Sequence, residues 1–312
     1  MSGCFVNPSA GLALAAIPGP VLWSYGVFGV VLATGLAAIF LRRDWQEAQR
    51  FDKLLLLGAV FYAAPLAAFG TEHFTLAQQI AMLVPKWVPW HLFWTYFVGA
   101  CFIAAGVSLA TKIQARLAAS LLALTFFLFV ALMDVPGWLR NPHSRFAMAL
   151  ALRELSFSGG ALALAASLSG TGRGARIAAT VARYFIAVGV LFYSVEQFLH
   201  ADHVPGIPLP LVTPTWIYGH LLWTYLAAAV YAVAGVLLLV GKKTRAAATA
   251  VGLAVLFVEL VVYVAIAVAE RASFLGFNYM ADTLMYCGAV LLLASAMPRE
   301  AQRASANQPS GD

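Results

Sequence analysis

The sequence predicts an all-α integral membrane protein of nine transmembrane helices: two parallel four-helix bundle repeats plus one extra N-terminal helix. Composition is the first reason. The chain is 62% hydrophobic and 10% charged, with mean hydropathy +0.85, whereas soluble chains run roughly 45–50% apolar and about 25% charged. Periodicity is the second. The apolar runs are roughly 17–25 residues long without strict alternation, which reads as helices spanning about 30 Å of hydrocarbon. Helices and closed barrels alone satisfy their own backbone there. The third is a recurrence: "WHLFWTY" at 90–96 returns as "GHLLWTY" at 219–225, its histidine displaced by 129 residues.

Residues 1–53 supply an N-terminal tail, the extra span at 21–41 and a connector. The first unit, 54–168, holds spans at 54–70, 90–110, 116–133 and 146–168. Its opening span is short for the bilayer, and Thr71 to Phe74 extend it. The second unit, 177–297, holds spans at 177–199, 217–240, 246–269 and 277–297. Residues 298–312 are polar and read as a disordered tail. The units align along their length. "FGTEHF" (69–74) falls on "YSVEQF" (193–198), which sets Glu72 on Glu196. Arg116 falls on Arg245, and "GALALAASL" (160–168) falls on "GAVLLLASAM" (288–297). That last match sets Glu154 near Asp282. Four helices is an even number, so both units cross the membrane in the same sense, related by an axis along the membrane normal.

Charge sets the orientation. Thirteen Lys and Arg residues lie in one family of connectors: Arg42, Arg43, Arg50, Lys53, Lys112, Arg116, Arg173, Arg176, Lys242, Lys243, Arg245, Arg299 and Arg303. Four lie opposite: Lys86, Arg140, Arg145 and Arg271. The positive-inside rule then places the N-terminus outside and the C-terminus in the cytoplasm. The same placement explains the net charge of +6 without nucleic acid. Cys4, Cys101 and Cys287 form no C-x-x-C pair, which argues against dithiol chemistry. The first 41 residues contain no Lys or Arg, so the basic region of a cleavable signal peptide is missing. "GTGRG" (170–174) has no strand before it and reads as a turn between membrane helices, not a phosphate loop.

All six histidines fall on the outer side. The densest patch is "EQFLHADH". Glu196 and His200 share a helix face at i,i+4, and Asp202 and His203 follow at once. Imidazole and carboxylate suit a transition metal, so Glu196, His200, Asp202 and His203 are a candidate metal set. The other reading is the polar end of an amphipathic helix. Trp and Tyr beside His91 and His220 fit an aromatic belt at headgroup depth. The two histidines themselves fit either hydrogen bonds to Glu72 and Glu196 or a ligand and proton-handling role. Glu154, Asp282 and Glu259 lie within spans. Acids at that depth are either functional or helix-to-helix hydrogen-bonding groups. Arg153 adjoins Glu154, but i,i+1 side chains do not face each other.

The stretches "GTEHF", "LVPKWVPWHLFWTYFVGACFIAAGVSLATKIQARLAA" and "ELSFSGGALALA" in the first unit resemble a DoxX-like four-helix membrane domain. So do "EQFLHADHVPGIPLPLVTPTWIYGHLLWTY" and "NYMADTLMYCGAVLLLA" in the second. The second unit departs from the "EHF" pattern, with Gln197 where the first has His73. The resemblance implies a bacterial inner-membrane protein associated with redox systems: an accessory subunit of a redox enzyme complex that binds a quinone or similar isoprenoid lipid at its outer side. Glu72, His91, Glu154, Glu196, His220 and Asp282 would then orient the ligand or carry protons. A structural or assembly protein without cofactor, and a proton-coupled transporter using Glu154, Glu259 and Asp282, are the competing expectations.

Overall fold

A computed structural model describes residues 17–49, 52–204 and 212–298. The predicted disordered tail, apart from Pro298, lies outside the described residues. Among those described, nine helices are long and apolar enough to cross a membrane. They are α1 (Gly19–Leu41), α2 (Asp52–Thr75), α3 (His91–Thr111), α4 (Ala115–Arg140), α5 (Arg145–Ser167), α6 (Arg173–Leu199), α7 (His220–Val240), α8 (Thr244–Ala269) and α9 (Phe274–Ala296). The short predicted second span does extend outward. Pro65 sits inside α2 without ending it, and the Thr71 hydroxyl donates to the Ala67 carbonyl at 3.2 Å in the turn beyond.

The recurrence in the sequence is a recurrence of backbone. Trp90 and Gly219 precede α3 and α7 in the left-handed region, with φ of 58° and 69°. Thr95 and Thr224 each donate a 3.0 Å bond to the carbonyl of the histidine that starts the helix, His91 or His220. α4 and α8 each carry one wide π-helical turn, Val130–Asp134 and Glu259–Tyr263. Their first residues are again 129 apart. The displacement persists into the last helix of each unit. Ser158 donates to the Ala123 carbonyl at 2.7 Å, and Cys287 donates to the Gly252 carbonyl at 3.4 Å.

That displacement corrects one expectation. Gly159, not Gly160, is the counterpart of Gly288. Arg153, not Glu154, is then the counterpart of Asp282. The sequence alignment slipped by one residue because small apolar residues fill both stretches.

The two sets of helices interlock. α2 packs along α9, α6 packs along α5, and α5 crosses α9 at the centre. The first helix of each set therefore lies against the last helix of the other. Small residues make the approach close enough for backbone contact. A Cβ at Gly160 would lie 2.5 Å from Ala289, and one at Gly288 would lie 2.5 Å from the Tyr62 nitrogen. α9 is the most buried helix and α1 the least. α1 lies mainly against α2 and α3 of the first unit, and its Tyr25 and Phe28 rings also meet Phe277 of α9.

Candidate functional site

Charged side chains meet where α4, α5 and α9 converge. Arg153 and Asp282 each lie eight residues inside the His-rich end of their helices, about 12 Å at 1.5 Å per residue. Nη1 of Arg153 donates to Oδ2 of Asp282 at 2.5 Å, and its Nη2 is 3.9 Å from Oε1 of Glu154. The guanidinium also lies over the Phe157 ring, 5.8 Å from its centroid. Asp134, at the end of the π-helical turn of α4, lies close enough to Glu154 for the two carboxyl groups to interact.

The balance of donors and acceptors in this cluster is unequal. One cation faces three carboxyl groups. Oδ2 of Asp134 and Oε2 of Glu154 are buried with no hydrogen-bond partner, and so is Nε of Arg153. Two ionised carboxylates are both acceptors, so a hydrogen bond between such groups requires one of them to carry a proton. The cluster is not sealed. The Arg153, Glu154 and Asp282 side chains keep 12–17% of their surface open.

Closer to the His-rich end, each unit places a Glu of its first helix against the last helix of the other unit or its own neighbour across the interlock. Oε2 of Glu72 on α2 accepts from Asn278 Nδ2 of α9 at 3.3 Å. Oε2 of Glu196 on α6 accepts from Arg145 of α5 at 2.7 Å. These partners replace the predicted ones. Among the described residues, neither His91 nor His220 bonds to Glu72 or Glu196 through its ring. Both histidines start their helices half-buried. The i+4 hydroxyls occupy their backbone carbonyls, while their rings stay outside the charge cluster.

The predicted metal set also comes apart. Arg145 takes the Glu196 carboxylate, which leaves His200 and His203 with rings 5.7 Å apart and His203 Nδ1 3.0 Å from Asp202 Oδ1. Among the described residues no three His, Cys, Asp or Glu side chains are arranged to hold a metal ion. The bond from His203 holds the Asp202 carboxyl below its usual range.

A second polar region lies inside α6–α9. Tyr231 of α7, Glu259 and Tyr263 of α8, and Tyr286 and Cys287 of α9 are all buried. The Tyr193 ring of α6 stands edge-on to Tyr286 at 5.5 Å, and its hydroxyl donates to the Ala149 carbonyl at 2.9 Å. Tyr193 thereby links this region to α5, the helix that carries Arg153. The Tyr231 hydroxyl and Oε2 of Glu259 have no hydrogen-bond partner.

Of the six site residues predicted from sequence, the structure brings Glu154 and Asp282 into one cluster, while Glu72 bonds to Asn278, one helical turn from Asp282 on α9. Glu196 sits apart with Arg145, and His91 and His220 stand alone. The sequence reading missed Arg153 and Asp134 as members. The 129-residue displacement, applied strictly, sets Arg153 opposite Asp282 and was the available signal. Two cavities open at the Lys/Arg-rich end of the molecule, of about 380 and 470 Å³. None of the six residues lines either one.

Compared with known proteins, the chain matches no family model, no curated protein and no solved structure.

Proposed function

We propose that this multi-pass membrane protein is a proton-handling accessory subunit of a redox system, with its N-terminus outside a bacterial inner membrane and its C-terminus in the cytoplasm. The observation that carries the proton-handling part is that one cation, Arg153, faces two buried acids, Glu154 and Asp282, with the Asp134 carboxyl close by. A buried acid pair with a single compensating cation stores a proton, and its partly open surface lets that proton exchange. The redox part rests on the resemblance to DoxX-like units. A quinone or similar isoprenoid lipid at the His-rich side would be the partner whose oxidation state changes with proton release. Glu72 and Asn278 would lie between that lipid and the carboxyl pair.

The interlocked helices weigh against a transporter that works by rocking one half on the other. α2 on α9 and α6 on α5 tie the halves together at two places, and backbone contact at Gly160 and Gly288 leaves no room to slide.

Gentle detergent extraction followed by quinone analysis of the bound lipid, and infrared titration of the same preparation, tests this reading. The expected result is near-stoichiometric quinone and a protonated-carboxyl carbonyl band that Glu154→Gln removes. A preparation without quinone whose carbonyl bands are unchanged by Glu154→Gln would leave the assembly role without cofactor. Proton-driven uptake into proteoliposomes, abolished by Glu154→Gln, would establish the transporter instead.

A further inference from the structure

The turn between α7 and α8 brings two unlike cavities together. One, of about 380 Å³, opens at the Lys/Arg-rich end and is lined by Lys242, Lys243 and Arg245, with Pro298 at its rim. The other, of about 470 Å³, is a groove between α7 and α8 lined by Ala229, Val233, Ala246 and Ala250. Leu237 and Lys243 line both, so the basic pocket runs directly into the apolar groove. From Leu237 to Ala229 the groove climbs eight residues of α7, about 12 Å into the membrane.

The first unit shows what an elbow of this kind uses for a partner. There, Lys112 follows α3 at the position of Gly241, and it pairs with the Asp44 carboxylate of the segment after α1. Arg42 of the same segment donates to the Thr111 carbonyl at 3.2 Å. Among the described residues the second unit has no such segment. Arg245 is already engaged, donating to Asp52 at 2.6 Å and to the Ala294 and Met297 carbonyls at 3.2 Å. Lys242 and Lys243 are exposed and have no ion-pair partner among the described residues. The second elbow thus keeps two cations at the membrane surface, above a groove of small side chains.

We propose that this elbow binds one anionic phospholipid. Its phosphate would sit between Lys242 and Lys243 in the place that Asp44 takes beside Lys112, and an acyl chain would lie along Ala250, Ala246 and Val233. A free anion would leave the groove empty, and a zwitterionic lipid would bring an ammonium group back beside the two lysines. Basic pockets between helices on the Lys/Arg-rich side of a membrane protein favour anionic headgroups for this electrostatic reason.

Native mass spectrometry of the delipidated full-length chain tests the proposal, with phosphatidylglycerol, phosphatidylcholine and glycerol 3-phosphate as probes. Phosphatidylglycerol is expected to bind roughly tenfold or more tightly than phosphatidylcholine, and glycerol 3-phosphate not measurably. Lys242→Gln with Lys243→Gln should abolish the preference. Ala250→Phe, at a bilayer-facing position, should weaken phosphatidylglycerol binding while leaving every charge in place. Equal binding of the two lipids, or glycerol 3-phosphate binding as well as the lipid, would overturn it. A carbodiimide cross-link between Lys242 and Glu300 that survives added phosphatidylglycerol would also overturn it, by placing the chain's own tail in the pocket.

Discussion

The interiors of α2–α5 and α6–α9 have one backbone plan and opposite chemistry. In the first, Phe102 stacks on Phe126 at 5.5 Å, and Phe126 meets Phe157 edge-on at 5.5 Å. At the same positions, 129 residues on, the second has Tyr231, Val255 and Tyr286. Val130 starts the π-helical turn of α4, and Glu259 starts that of α8. The acids are exchanged too: Asp134, Arg153 and Glu154 correspond to Tyr263, Asp282 and Thr283. The first unit therefore keeps its core dry and its charges at the seam. The second contributes one acid to the seam and keeps hydroxyls and a carboxyl inside. Duplicated scaffolds can diverge in this way because the helix contacts rest on glycine and alanine, which both halves retain, while the side chains within each half are free to change.

Breaking the seam should have the largest effect. Arg153→Met leaves Asp282 without its cation in a low-dielectric site, and is expected to cost about 3–5 kcal/mol. Thermal unfolding in detergent reads this directly. Arg153→Met combined with Asp282→Met should recover most of the loss, because the cost lies in the abandoned charge. A double variant as unstable as the single one would mean that the pair does not organise the seam.

Making the second interior resemble the first should have the opposite sign. Glu259→Val gives α8 the residue that α4 has, and removes a buried oxygen without a partner. The melting temperature is expected to rise, by the equivalent of about 1–3 kcal/mol. A fall would show that Glu259 is satisfied in the membrane.

The hydroxyls sharpen the contrast further. Tyr193→Phe removes a donor from the Ala149 carbonyl and should cost about 0.5–1.5 kcal/mol, whereas Tyr231→Phe removes an unpartnered hydroxyl and should cost nothing. Equal losses for the two variants would erase the distinction.

The smallest effect lies outside the membrane. Asp202 has its carboxyl lowered by His203, so its contribution is present above the unfolded carboxylate range, about pH 4, and is lost as pH falls through the lower folded value. Asp202→Asn should differ slightly from the wild type at neutral pH and converge with it in acid. A difference that widens in acid would reverse the assignment.

The nine spans were legible because lipid demands long apolar runs, and the repeat was legible because Trp, His and Tyr recur at one displacement. Which helix faces which was not. Helices that are apolar all round have no polar face to orient them, so nothing announced that α2 lies on α9. Asp134 was missed for a local reason. The predicted fourth span stopped at 133, one residue short, whereas the helix continues through its wide turn to Arg140. Arg153 was discounted because it adjoins Glu154, yet its true partner is on another helix. Among the described residues the rings of His91 and His220 make no bond to Glu72 or Glu196, whose carboxylates meet Asn278 and Arg145 instead.

The pairing of α2 with α9 has a consequence for biosynthesis. α2 leaves the ribosome well before α9. Until α9 arrives, the α2 surface around Gly58 and Tyr62 that it covers has only lipid or a chaperone to lie against. The early helices thus wait in the bilayer for a much later one. A ribosome that stalls before α9 leaves a product that quality control can recognise by that open face.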